Sequence, residues 1–308
     1  LIPEPTMCPH CRQQRRLATR NEHCLYNGKC GLCKKDIITM YSPDKNYEMY
    51  CPTCWYGDKL DSLDYGREFD FTKSFFEQYM RLQKQVPKLS VINRNSENSD
   101  YANDVDHNKN CYLIFASGED QDCYYSTTII SCKDLMDSYW SLYCELSYEV
   151  ISCETTFQCQ FCFHCKNISD CYFCTDCNNC KNCFGCFGLK NKEYYIFNKA
   201  YSKVEYEEKI KEFIEAKKTY SGLQKMKEDI NKMFLKYPRK ASYFTNAEDC
   251  SGDFLVNCSR CVEAYCMINA QDCKFVFDAG FLNDCYDIVM CGGFGENCEL
   301  LYEAQTSL

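Results

Sequence analysis

Two Cys-x-x-Cys knuckles, Cys30/Cys33 and Cys51/Cys54, stand seventeen residues apart. Each knuckle offers two thiolates from one tight turn, and two knuckles brought together by folding supply the tetrahedral four-sulfur set that zinc takes. All four positions are cysteine, which leaves no coordination place for water, so the chemistry predicted is structural. Bound metal of this kind contributes on the order of 10 kcal/mol to folding a segment with little core of its own. A third knuckle, Cys8-Pro-His-Cys11, is read as part of a second zinc site. Its remaining ligands are expected upstream of Leu1, or alternatively from Cys30 and Cys33 in place of Cys51 and Cys54, with Cys24, His10 and His23 as further candidates. Directly after it come Arg12, Arg15, Arg16 and Arg20, with no acid until Glu22. Arginines beside a zinc knuckle suit phosphate contact, so these four are the candidate nucleic-acid residues. The alternatives are a solvated helix start and internal ion pairing.

The densest cysteine run is 159, 162, 165, 171, 174, 177, 180, 183 and 186. An iron–sulfur motif needs a different offset followed by proline, and neither is present. Phe157, Phe161, Phe163, Tyr172, Phe173, Phe184 and Phe187 lie among these cysteines. Aromatics call for a packed core, which favours a buried thiol ladder over a metal-storage tail. Cys162, Cys165, Cys183 and Cys186 nevertheless repeat the ribbon spacing and form an alternative zinc set. No base and nucleophile pair emerges from the four histidines, and no small-molecule substrate is identifiable. In Gly292-Gly293-Phe294-Gly295, Cys298 stands where a dinucleotide loop needs glycine, so this is read as a coil turn.

The elements that must position these residues follow from the spacing. Cys111, 123, 132, 144, 153, 165, 174 and 186 are separated alternately by 12 and 9 residues, an underlying period of 21. Such a period signals stacked units that cannot bury their apolar faces alone. The fold predicted is mainly β: a zinc-ribbon head, then a parallel β-solenoid of Cys-rich coils of about 21 residues, interrupted by an α-helical hairpin. On that coil length Cys132, Cys153 and Cys174 would share one line and Cys123, Cys144, Cys165 and Cys186 another. The regions are a ribbon over 1–58, a joining helix within 59–97, a first solenoid block over 98–190, a strand and helical hairpin over 191–240, and a second block over 241–308. Within the ribbon a hairpin is expected over 36–50, and the chain reads as cut at both ends.

Net charge is −9, yet residues 1–59 carry nine basic and six acidic side chains, so any anionic partner must meet the head. No apolar run approaches the roughly 18 residues that span a bilayer. Of 29 cysteines many lie three apart, which suits metal ligands and buried thiols better than bridges and points to a reducing, cytoplasmic compartment. A signal peptide cannot be judged from a chain that opens at Leu1.

The stretches Cys8-Pro-His-Cys-Arg-Gln-Gln-Arg-Arg-Leu-Ala-Thr-Arg-Asn21, Met40-Tyr-Ser-Pro-Asp-Lys45, Leu63-Asp-Tyr-Gly-Arg67, Asn108-Lys-Asn-Cys-Tyr-Leu113 and Cys183-Phe-Gly-Cys-Phe-Gly-Leu-Lys-Asn-Lys192 carry a family likeness. Through them the chain resembles, over nearly its whole length, a family of cysteine-rich, zinc-ribbon-plus-repeat proteins from small-genome, mostly uncultured bacteria. The resemblance implies zinc binding, a repeat body and a further Cys-x-x-Cys ahead of Ile2; it implies no activity. The reading that results is a zinc-binding, non-enzymatic interaction or scaffold protein with a protein partner. The alternatives are a nucleic-acid- or ribosome-associated factor using the basic head, and then a metal-dependent enzyme or thiol redox protein.

Overall fold

The computed structural model describes residues 23–245 without a break, together with 7–8, 10–12, 14, 21, 252–253, 255–256, 264–265, 271–275 and 285–288. The chain divides into two compact units, one of Asn21–Tyr237 and one of Leu1–Arg20 with Pro238–Leu308.

The larger unit is dominated by a parallel β-solenoid of about nine coils, with strands from Asn93–Arg94 to Glu193–Ile196. The mainly β architecture with a Cys-rich solenoid and a helical hairpin is therefore as read from the sequence. The coil length is not. Every parallel pairing in the stack joins residues twelve apart: Asn103 to Phe115, Tyr139 to Ile151, Cys171 to Cys183. The unit beneath the coil is a triplet. From Ala102 to Cys186 every third residue points inward and is buried, and from Asp104 to Phe197 every third residue has positive φ, between 48° and 69°. Each triplet thus makes one short side and one left-handed corner, and four triplets close a square coil.

This explains the misread period. Gaps of 9 and 12 are both multiples of three, so both keep cysteine on the inside, but only 12 returns it to the same side. A step of 21 is one coil plus three sides. Cys132, Cys153 and Cys174 accordingly fall in three different columns, while the true columns are Cys159/Cys171/Cys183, Cys162/Cys174/Cys186, Cys153/Cys165/Cys177 and Cys132/Cys144.

The backbone bonding shows why cysteine suits the inside. In each triplet the second residue donates to a carbonyl on the next coil, as Lys109 does to Asp120 at 2.8 Å, and the third to the previous coil, as Asn110 does to Glu97 at 2.9 Å. The inward residue's N–H is left facing the core, where a buried donor must find a partner. It meets the side chain twelve residues back: Cys111 N–H donates to Ser99 Oγ at 3.0 Å, Cys132 N–H to Asp120 Oδ1 at 2.9 Å, and Cys144 N–H to Cys132 Sγ at 3.5 Å. The same side chain donates to a carbonyl nine residues ahead, Cys132 Sγ to Ser141 at 3.4 Å and Ser141 Oγ to Val150 at 3.3 Å. A small side chain that is weakly both donor and acceptor fits this slot, so Cys and Ser alternate in it. The described cysteines are all free thiols. Burial, with neighbouring thiols, pushes Cys162, Cys165 and Cys174 well above the ordinary thiol range. Such thiols stay protonated and inert.

Toward its N-terminal end the interior turns polar, with Asn108, Ser117, Asp120 and Ser126 inside. Asp120 accepts the Cys132 amide on one oxygen, and its other oxygen has no hydrogen bond among the described residues. Burial pushes this carboxyl up to about 8.

The head packs onto the first coil. Strands β1 (Tyr26–Lys29) and β2 (Asp36–Thr39) form an antiparallel hairpin, and β3 (Met49–Tyr50) runs parallel to β4 (Lys88–Leu89), which leads into the solenoid. The hairpin expected over 36–50 is thus replaced: Asp36–Thr39 pairs backward, and Pro43–Lys45 is a short 3-10 turn closed by Asn46 at φ 50°. Between β3 and β4 lie the short helix α1 (Pro52–Trp55) and α2 (Phe75–Gln85). Ser74 caps α2, and the extended Val86 before Pro87 ends it.

At the other end, α3 (Lys203–Ala216) starts on a Ser202/Glu205 capping box and α4 (Tyr220–Phe234) on Thr219. Tyr206, Ile210, Met226, Ile230 and Phe234 of this hairpin bury themselves against Phe161, Phe173, Phe184 and Ile196 on one outer face of the solenoid.

The smaller unit holds two short parallel pairs, Phe244–Thr245 with Leu255–Val256 and Gly252–Asp253 with Ala264–Tyr265, at offsets of 11 and 12. Cys273 and Cys285, again twelve apart, are buried. Gly292 to Cys298, and most of the second block expected over 241–308, lie outside the described residues.

Candidate metal centre

Local sequence builds the site from two turns. Cys30 directly follows β1, and the chain reverses through Lys34, whose φ of 64° and N–H to Cys30 carbonyl bond close the first knuckle. Cys51 is the N-cap of α1, with Pro52 at its first position, so Cys54 lies one helical turn on. A bond from the Gly31 amide to the Met49 carbonyl, 2.7 Å, ties the two knuckles.

The four sulfurs of Cys30, Cys33, Cys51 and Cys54 all lie within 4.8 Å of one another. Cys33 and Cys51 sulfurs are 3.8 Å apart. Zinc–sulfur bonds of about 2.3 Å in a tetrahedron place the sulfurs about 3.8 Å apart, so the cage has the size a metal ion of that kind requires. Cys30 is fully buried, whereas Cys33 is exposed.

The electrostatics favour a cation. Burial works against the Cys30 thiolate, but the amides of Cys33, Cys51 and Leu32 point at its sulfur and together outweigh burial, bringing it down to about 6. The Cys33 and Cys51 amides donate at 3.5 and 3.4 Å. Burial and then the neighbouring sulfurs push Cys54 up to about 12, and burial raises Cys51. Four thiolates in one cage repel one another, and a divalent ion at the centre offsets that repulsion. The donor set therefore fits a metal ion with no open coordination place.

The other candidate sites fare differently. Cys8 and Cys11 form a knuckle, the Cys11 amide lying 3.4 Å from Cys8 Sγ and, as the largest influence, lowering that thiol. Among the described residues no further ligand joins them. Cys30 and Cys33 are matched with Cys51 and Cys54. The alternative zinc set is not formed: the coil carrying Cys171, Cys174, Cys177 and Cys180 lies between Cys162/Cys165 and Cys183/Cys186. The ribbon spacing there is a by-product of the triplet period, and two coil rises put the pairs about 10 Å apart.

Arg12 is not a phosphate-facing residue. It is buried, its guanidinium pairs with the buried Asp287 and donates to the Met7 carbonyl, and the Tyr286 ring lies 5.8 Å away. Internal pairing, not solvent, takes this charge. Arg15, Arg16 and Arg20 lie outside the described residues.

Sequence reasoning missed an outer aromatic face. Tyr112, Tyr124, Met136, Tyr148, Tyr172, Phe184 and Ile196 occupy one outward position, with Tyr101, Tyr125, Phe161, Phe173 and Phe197 beside it. Aligning the chain at a period of 12 rather than 21 brings them into register. A groove of about 890 Å³ runs from Cys33, Cys51 and Cys54 to Asn93, Asp100 and Tyr101, so the metal centre and the start of this face share one surface. No helix of the described residues is long and apolar enough to cross a membrane. In comparisons with known proteins, no family model and no curated protein matches the chain.

Proposed function

We propose that this protein is a zinc-binding, non-enzymatic interaction scaffold whose metal holds the ribbon as a cap on the solenoid. The observation that carries this reading is the closed four-sulfur cage joined by backbone to the first coil. The Lys88 amide donates to Glu48 at 2.7 Å, Ser90 to Tyr50 at 2.9 Å, and Met40 to Ser90 at 2.9 Å. An uncapped solenoid presents a row of unpaired backbone groups that invites edge-to-edge aggregation, and small ribbons need metal to stay folded. With no place for water on the ion, the metal supplies structure rather than a nucleophile. The exposed aromatic face supplies the interaction surface. Element analysis of the purified chain tests this: one zinc per chain at the cage, lost together with ribbon structure on chelation, is the expected result. A coloured, redox-active iron centre, or a zinc lost without structural change, would overturn it.

A further inference from the structure

The aromatic face runs along the solenoid with one rung, Met136 and Asp137, that carries no ring, and only part of it is covered. Its C-terminal rungs lie under α3 and α4, whereas Tyr101, Tyr112, Tyr124, Tyr125 and Met136 on the preceding rungs are 38% to 53% exposed. The uncovered rings touch as a ladder, Tyr101 to Tyr112 at 5.3 Å and Tyr112 to Tyr125 at 5.8 Å between centroids. A second apolar surface is uncovered among the described residues. Helix α2 has no buried residue, and Phe71, Phe75, Phe76, Tyr79 and Met80 are 44% to 91% exposed.

We propose that two copies of this chain associate reciprocally, α2 of each lying on the tyrosine ladder of the other. The proposal rests on the scaffold reading above and names its partner as a second copy. Three observations carry it. First, the ladder continues an interface that already takes helices, and there a helix cation sits over the rungs: Lys227 lies 4.3 Å from the Phe161 ring and 2.8 Å from Glu149, and Lys217 lies 4.2 Å from the Tyr172 ring. Helix α2 brings the same chemistry, aromatics plus Arg81 and Lys84. Second, the lengths agree: four rungs at about 4.8 Å per step span roughly 14 Å, and the 11 residues of α2 span about 16 Å. Third, the area suffices. At about 200 Å² per fully exposed aromatic side chain, the two surfaces offer at most roughly 1,000 Å² per contact, or about 2,000 Å² for the reciprocal pair, within the range of stable dimers. A chain that carries both a surface and its complement closes as a two-fold pair when each copy meets both surfaces of the other at once.

Sedimentation velocity on the zinc-loaded full chain, over a wide concentration range, tests this. A reversible dimer is expected. Phe76→Glu on the helix, or Tyr112→Glu on the ladder, should each weaken it on the order of tenfold or more. Tyr124→Glu gives a second ladder variant, and circular dichroism checks that each variant is folded. Mixing the helix variant with a ladder variant should restore association, because the mixed pair regains one intact contact. A wild-type chain that stays monomeric throughout, a dimer indifferent to both substitutions, or a mixture that fails to associate would each overturn the proposal. Zinc content measured on the same samples keeps the readings apart, since a monomer with one zinc per chain sinks the dimer and leaves the capping role standing.

Discussion

The head and the solenoid use the same residue for opposite ends. In the head, four cysteines sit on two turns that converge, so their sulfurs share one small volume in which a cation would relieve their repulsion. In the solenoid, cysteines are strung along columns, each sulfur engaged by backbone groups of its own and the next coil. One arrangement concentrates charge and the other disperses polarity. Convergence of turns makes a ligand set; spacing along the chain alone does not, as Cys162, Cys165, Cys183 and Cys186 demonstrate.

The contrast is most directly broken by removing metal. Chelation, or Cys51→Ser, should unfold the head while the solenoid keeps its β signal, because the lost binding energy is on the order of 10 kcal/mol and belongs to the ribbon. Hydrogen exchange resolved along the chain is the measurement, and collapse of all coils together would erase the distinction.

Next in size is Asp120, the one inward carboxylate of the polar coils. Its folded value of about 8 lies above the ordinary 3.8. Between these values the folded state holds a proton that the unfolded chain has released, so stability falls as pH rises, by about 1.4 kcal/mol per pH unit. The loss is complete above the folded value. Asp120→Asn should remove this slope, with the stabilisation reaching its full size above about pH 8. Urea unfolding of both proteins at several pH values reads the difference, and parallel slopes would show the carboxyl to be better solvated than its burial implies.

Smaller still is Cys174→Ser. Serine keeps a donor toward the Cys183 carbonyl that Cys174 Sγ meets at 3.6 Å and loses some apolar contact, for a cost of about 1 kcal/mol, whereas Cys33→Ser should abolish metal binding. Equal damage from the two would mean that the solenoid thiols are ligands after all. The smallest effect belongs to Thr155, an exposed β-branched residue at φ 53°. Asparagine tolerates that corner better, so Thr155→Asn should raise stability by up to about 1 kcal/mol in thermal unfolding.

Much of this was legible beforehand, and the failures have physical causes. The four-cysteine cluster was readable because a knuckle is a local turn whose spacing survives in the chain. The solenoid class was readable because stacked units repeat. Its coil length was not, since the inward slots recur every three residues and cysteine fills them at intervals that hide the closing of the square. The fate of Arg12 was illegible for another reason: its partner, Asp287, lies 275 residues away, and no local pattern announces such a pairing. The aromatic face was hidden by the same misreading of period, because rings 12 apart do not align at 21.

The left-handed corner at every third residue also makes the solenoid a ratchet with four positions. Inserting one or two residues would turn everything downstream inside out. Three residues would preserve inside and outside but swing every later column a quarter turn, carrying the hairpin's seat away from the rings beyond the insertion. Twelve would simply add a storey. Length change in such a wall is thus quantised, with one step size for surviving and a larger one for keeping every face where it was.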